Sequence, residues 1–261
     1  GDFNGTRGKF WPDDNRIIET MRRVNPSFSS EPTAAELGPL LKWIMGGTPT
    51  GSTTKTYPWS NTAAKRFMHF KPNVGEEWFL SNVGVNSATM SAQVGGALAL
   101  ALALVGMTYD STRTNFPSLS YDQTLQPFIL SHLVWTVGGV ARQVSDISFT
   151  IDGGIDTERF LNSLTLTDVL RKGAKWSVSF AVPSGDNASQ FWSSGVAGSA
   201  ATAVFTNPTT SAVLTLDFPK LKFPGNSPGF SPGDEGMIRC NAIPTSTAGG
   251  EPVTISLNPG S

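Results

Sequence analysis

The sequence is poor in the groups from which most active sites are built. It has one cysteine, Cys240, and two histidines, His69 and His132. A single cysteine excludes an intrachain disulfide and a cysteine-ligated metal cluster, and it fits folding in a reducing cytoplasm. Charged residues make up 15% of the chain, well below the roughly 25% usual for a globular domain. Lysine and arginine number 19 against 20 aspartate and glutamate, for a net charge of −1. The basic surplus with which a protein grips phosphates is therefore missing, although a polarised surface stays open. The longest apolar run, Gly95 to Met107, falls short of the ~20 residues of a membrane-spanning helix. No secretory leader pattern stands at the start, and a beginning at Gly1 rather than methionine points to a processed or incomplete N-terminus.

What is present is turn chemistry and period-two patterning. The 261 residues include 27 Gly and 18 Pro with abundant Ser and Thr, the composition of short strands joined by many turns. One seven-residue pattern occurs twice: Val85-Asn86-Ser87-Ala88-Thr89-Met90-Ser91 matches Val144-Ser145-Asp146-Ile147-Ser148-Phe149-Thr150 in residue type. A glycine-containing turn region follows each copy, and then an alternating run, Ala97 to Val105 in the first case and Trp176 to Val182 in the second. Alternation at period two marks a strand with one buried face. In the first run Leu98, Leu100, Leu102 and Leu104 share one face and four alanines the other. Alanine and leucine favour helix, but the alternation of size and the flanking glycines select strand. A flat alanine face would let another backbone approach closely.

The reading along the chain is all-β with one or two short helices. Residues 1–30 form an arm or strand laid on something else; residues 31–261 form a β-sandwich domain with related strand units at about 66–106 and 128–182. The clearest helix spans Thr33 to Met45, where Thr33 and Glu36 make a capping box and Leu37, Leu40, Leu41 and Ile44 share a face. Pro39 offers an alternative start with Gly38 as cap, and Gly46-Gly47 stop it. Residues 46–64 read as a long Gly/Thr/Ser/Pro loop. Strands are expected at Arg66 to Phe70, Glu77 to Leu80, Val85 to Ser91 and Ala97 to Val105. After a linker at 107–128 they resume near 129–137, 144–151, 160–166 and 175–182. A short helix is expected around Ala188 to Ser193, then strands at Ala201 to Phe205, Ala212 to Asp217, Met237 to Asn241 and Val253 to Leu257.

Motifs with chemical meaning fail on inspection. Gly229-Phe230-Ser231-Pro232-Gly233 spells a nucleophile elbow, yet the oxyanion hole needs the N–H of the residue after the serine, and Pro232 has none. Gly46 to Thr53 has phosphate-loop glycine spacing with Ser52 in place of the lysine, and a helix precedes it where a strand is required. Asp152, Asp156 and Glu158 crowd one turn but supply an incomplete calcium pattern. His69 and His132 stand singly. Lys65, Arg66 and Lys71 make a small basic group suited to a solvated or salt-bridging face. Seven scattered tryptophans fit packing better than a sugar-binding platform. No catalytic residue, metal site or cofactor is expected.

The order of these pieces resembles the major tail tube protein of long-tailed, siphovirus-type bacteriophages. The likeness runs from about Glu31 through the helix Ala35-Glu36-Leu37 to Trp43-Ile44-Met45-Gly46, then through the Val-Asn-Ser-x-Thr strand, its turn and the run closing at Val105-Gly106. It ends in Phe205-Thr206-Asn207-Pro208, Leu214-Thr215-Leu216-Asp217-Phe218-Pro219-Lys220-Leu221-Lys222-Phe223 and Val253-Thr254-Ile255-Ser256-Leu257-Asn258. The resemblance implies a β-sandwich whose inner sheet joins neighbouring subunits into a ring barrel. Hexameric rings would stack into a virion tube that houses the tape measure protein, meets tail tip and terminator proteins, and conducts DNA at ejection. It implies assembly in the host cytoplasm and no membrane partner. The inner tube of a contractile injection apparatus and a carbohydrate-binding β-sandwich module are the alternatives. Two further expectations follow from the residues. Residues 1–30 and 46–64 would lie at subunit or ring contacts, with Trp11, Tyr57 and Trp59 as candidate anchors. The lumen would be lined by small, polar and acidic side chains with few cations.

Overall fold

The computed structural model describes residues 24–70, 78–110, 126–158, 166, 168–183, 198–224, 236–247 and 249–260. Trp11, Lys71, the expected strand at 160–166 apart from Leu166, the helix around Ala188 to Ser193 and the Gly229–Gly233 segment lie outside them. The fold is antiparallel β, as the alternation predicts, with one α-helix among the described residues.

Helix α1 spans Ala34–Met45. The Thr33 backbone N–H donates to Glu36 Oε2 at 2.9 Å, and the Glu36 N–H donates back to Thr33 Oγ1 at 3.4 Å, so the capping box sets the first turn. Pro39 does not begin the helix; it sits inside it. The carbonyl that loses its donor belongs to Ala35, which is exposed like Pro39, so it is not stranded in the core. Leu37, Leu41 and Ile44 are buried while Leu40 is only partly so. Gly46 closes the helix at φ 81°, a left-handed conformation that a side chain disfavours.

Two sheets face each other across one core. In sheet 1, strand β1 (Ser27–Ser30) pairs with β5 (Ala99–Val105), β5 with β4 (Trp78–Gln93), β4 with β9 (Asp146–Asp152), β9 with β10 (Lys175–Pro183), and β10 with β13 (Met237–Pro244). In sheet 2 the order is β2 (Lys55–Tyr57), β14 (Thr254–Asn258), β12 (Val213–Lys222), β11 (Ser199–Thr206), β7 (Leu133–Val137) and β8 (Val140–Arg142). The end of β13 joins the end of β12 through Leu221–Pro244 and Lys222–Ile243, so the layers meet along one corner. The core between them is aromatic. Trp135 of β7 lies 6.2, 5.2 and 6.0 Å from Phe149, Phe180 and Phe218, and the last stacks on Phe149 at 5.7 Å.

The two copies of the seven-residue pattern lie on neighbouring strands that pair directly, Thr89 with Thr150 and Met90 with Phe149. Each carries its alternating partner on its outer side. Met90 faces Leu100 and Ala88 faces Leu102, as Phe149 faces Val178 and Ile147 faces Phe180. The order β5-β4-β9-β10 is thus pseudo-symmetric, with the leucines of β5 in the places of the large apolar residues of β10. All four leucines at 98–104 are buried, while Ala101 and Ala103 are exposed.

Several expected boundaries are corrected. The strands expected at 77–80 and 85–91 are one strand of 16 residues; Asn82, at φ 50°, and a register shift between Val85 and Ser87 bend it without ending it. Its first part leaves sheet 1 and pairs with β3 (Arg66–Phe70) and β6 (Thr108–Asp110) as a three-stranded arm. The linker expected from 107 therefore begins with a strand. Residues 130–132 form a 3-10 turn ahead of β7, and 22 residues, 153–174, follow the second repeat's strand where five, 94–98, follow the first's. The loop at 46–64 is less irregular than its composition suggests. It contains β2, folds back through the Thr50–Thr56 bridge, and pairs with β14.

Candidate assembly surface

The outward face of sheet 1 is built from residues that alternate with the core. Strand register sets them in rows. Ser29, Ala101, Thr89, Thr150 and Ser177 lie side by side, and the next row is Ala99, Ser91, Ser148, Ser179 and Asn241. Thr89 Oγ1 and Thr150 Oγ1 share a hydrogen bond of 3.2 Å across the pseudo-symmetric pair. These two rows carry no charge. Charges flank them: Glu31 follows β1 beside Ala99, and others stand on the rows beyond. On one side Asp152 faces Lys175; on the other the Arg239 guanidinium meets Asp146 at 3.0 Å. Such a face adheres weakly to a polyanion, because the alanine methyls and the serine and threonine hydroxyls of the two rows offer it no cation.

Sheet 1 also has two open margins. Among the described residues no strand pairs with the outer edge of β1 or with the 237–242 stretch of β13 on the side away from β10. Unpaired edges are templates for further strand pairing.

The aromatic anchors expected on the 46–64 segment are not exposed loop residues. Tyr57 is 3% exposed; it belongs to β2 opposite Ile255, with its hydroxyl close to Gly38, and burial pushes its phenol pKa up. Trp59 is half-buried. Its ring meets Trp176 edge-on at 6.1 Å, its Nε1–H donates to Asn61 Oδ1 at 3.3 Å, and the Arg171 guanidinium stands 4.2 Å over it. β2 thus turns Tyr57 into the interior of its own subunit, while Trp59, beyond the strand, keeps part of its ring at the surface.

Arg171 is the residue that sequence reasoning missed. It is 8% exposed, and its guanidinium ties three chain segments together. Nη2 donates to the Ile44 carbonyl at 2.6 Å, and Nη1 donates to the carbonyls of Met45 and Ser60 at 3.1 Å each. Two of these acceptors are orphan carbonyls at the end of α1, where a cation is favoured. Burial lowers its pKa from 12.5 to about 10, so it remains a cation at neutral pH. Nothing in the local sequence around 171 signals this, since its partners lie more than a hundred residues away.

The other candidate chemical groups have structural partners. Asp152 Oδ1 accepts the Gly154 N–H at 3.0 Å and Asp156 Oδ1 the Glu158 N–H at 3.1 Å, while Lys172 pairs with Asp156 at 3.3 Å. These carboxylates therefore shape turns. Lys65 pairs with Asp168. His132 Nδ1 accepts the Ile129 N–H at 3.4 Å, and burial holds its pKa below the usual imidazole value. Among the described residues no group of three or more His, Cys, Asp or Glu could hold a metal ion.

No curated protein matches the sequence. A family model described as phage tail tube protein matches residues 16–258, nearly the whole chain. That match agrees with the antiparallel β fold, and the chain belongs to the phage tail tube protein family.

Proposed function

We propose that this structural protein of the phage tail closes into hexameric rings that stack as the tail tube, with the outward face of sheet 1 turned to the lumen. The observation that carries the reading is the uncharged double row of Ser, Thr and Ala running across sheet 1. A moving polyanion is retarded by each phosphate–cation contact, and the nearest cations to these rows, Lys175 and Arg239, face or pair with carboxylates. The open edge of β1 on one copy and that of β13 on the next supply the seam. Pairing them continues the sheet around the ring and removes both edges at once. Before ejection the same wall holds the tape measure protein, and the tube ends meet tip and terminator proteins.

The test uses a thiol. Cys240 is fully buried, so Thr150→Cys places one reactive cysteine in the middle of the face. A maleimide carrying a bulky polymer should label the unassembled variant quickly and the assembled tubes only at their ends. Labelling of assembled tubes at the unassembled rate would place this face outside the tube and refute the reading.

A further inference from the structure

Strand β4 is the longest of the described strands, and its two ends carry different surfaces. At its start the arm presents Phe67, 68% exposed, stacked on Phe79 at a centroid distance of 5.4 Å. At its finish the β4–β5 turn presents Val94, 72% exposed. Ile129, 37% exposed, lies at the same end, bridged to Ala97. Sixteen residues of strand separate the ends, a contour of about 50 Å. Scattered exposed apolar residues need no explanation. Here, however, three of the six large exposed ones lie at opposite ends of one strand. Near that turn a polar hollow of about 440 Å³ opens on the outward face of sheet 1, lined by Glu31, Ser91, Gln93, Ser148, Asp146 and Arg239 among others. On the arm, the exposed Arg66 precedes Phe67.

We infer that the arm end and the turn end are the two halves of the ring-to-ring contact: Phe67, backed by Phe79, docks at the Val94–Ile129 end of a copy in the next ring. The occupant is a second copy of this chain, and the inference rests on the stacking proposed above. A contact between two different patches of one protein is heterologous. Each copy keeps one half unused, so association is open-ended and the product is a filament. Placing the halves at the two ends of the longest strand directs that growth along the strand. Glu31, exposed beside the turn, offers a carboxylate to the exposed Arg66 of the arriving arm. A patch matched only to itself would instead produce closed pairs of rings.

The test is a mixing experiment with Phe67→Glu, which disables the arm end, and Val94→Glu, which disables the turn end. Both sites are exposed, so each variant should melt as the parent protein does, and this is checked first. Each alone should give rings without tubes in negative-stain microscopy. Mixing the two preformed populations leaves one good arm end facing one good turn end, and should produce stacks of two rings that do not grow. Tubes formed by either variant alone would overturn the inference. So would a mixture that stays entirely as single rings. Absence of rings from the parent protein would instead bring down the ring reading itself, and this contact with it; the Thr150→Cys labelling result separates the two failures.

Discussion

Replacing Arg171 with Met tests whether one buried cation holds the 46–64 segment and the long 153–174 connection against the end of α1. Three charge-assisted bonds to carbonyls contribute about 1.5 kcal/mol each, and the contact over Trp59 about 1 kcal/mol. Against this, a pKa drawn down from 12.5 to about 10 expresses an opposing burial cost of about 3 kcal/mol. Methionine restores none of the donors; the Met45 carbonyl keeps the Ser60 N–H at 2.8 Å, but loss of the partner of the Ile44 carbonyl adds about 1 kcal/mol. The net loss is about 3 kcal/mol, a fall in Tm of about 6–12 °C for a domain of this size. Urea unfolding of the unassembled protein, followed by tryptophan fluorescence, measures it. Arg171→Lys should recover less than half, because a single ammonium cannot span three carbonyls held by separate segments. An Arg171→Met midpoint equivalent to within about 0.5 kcal/mol of the parent would show that the geometry carries no net stability.

Trp135→Ala removes the ring that meets Phe149, Phe180 and Phe218; an expected loss of about 4 kcal/mol is read from the same titration, and a loss under about 1 kcal/mol would mean that the layers collapse onto the gap. Cys240 should resist a thiol reagent until the protein unfolds, since burial raises its pKa from 9.0 to about 11. The sign of its pH dependence follows: the unfolded thiol ionises first, so stability contributed by this site is intact below pH 9 and declines as pH rises towards 11. A Cys240→Ala variant should lose that part of the alkaline slope.

The capped helix, the β5 alternation and most strand positions were legible because each is written locally. Thr33 and Glu36 lie three residues apart, and the four leucines of β5 alternate without a break. What was not legible depends on partners far along the chain. Asn82 and the shift after Val85 look like the end of a strand and the start of another, yet pairing with β3, β6, β5 and β9 carries one strand through both. Tyr57 and Trp59 read as loop anchors because residues 46–64 have loop composition. β14, two hundred residues later, makes a strand of 55–57 and turns Tyr57 inward. The repeat was visible as sequence; that its copies would pair with each other was not, since similarity carries no information on adjacency. Arg171 is the limiting case, its role defined wholly by carbonyls of other segments.

The position of β14 has a consequence in time. Residues 254–258 lie inside sheet 2, between β2 from early in the chain and β12. A growing polypeptide emerges from its N-terminal side, so neither β2 nor the free side of β12 can be covered until residue 258 is out. A half-made subunit therefore cannot complete its second layer, nor the core that layer closes over sheet 1. Closure of that layer waits for a strand made about two hundred residues after the β2 it covers, and the early strands must stay in solution uncovered until then.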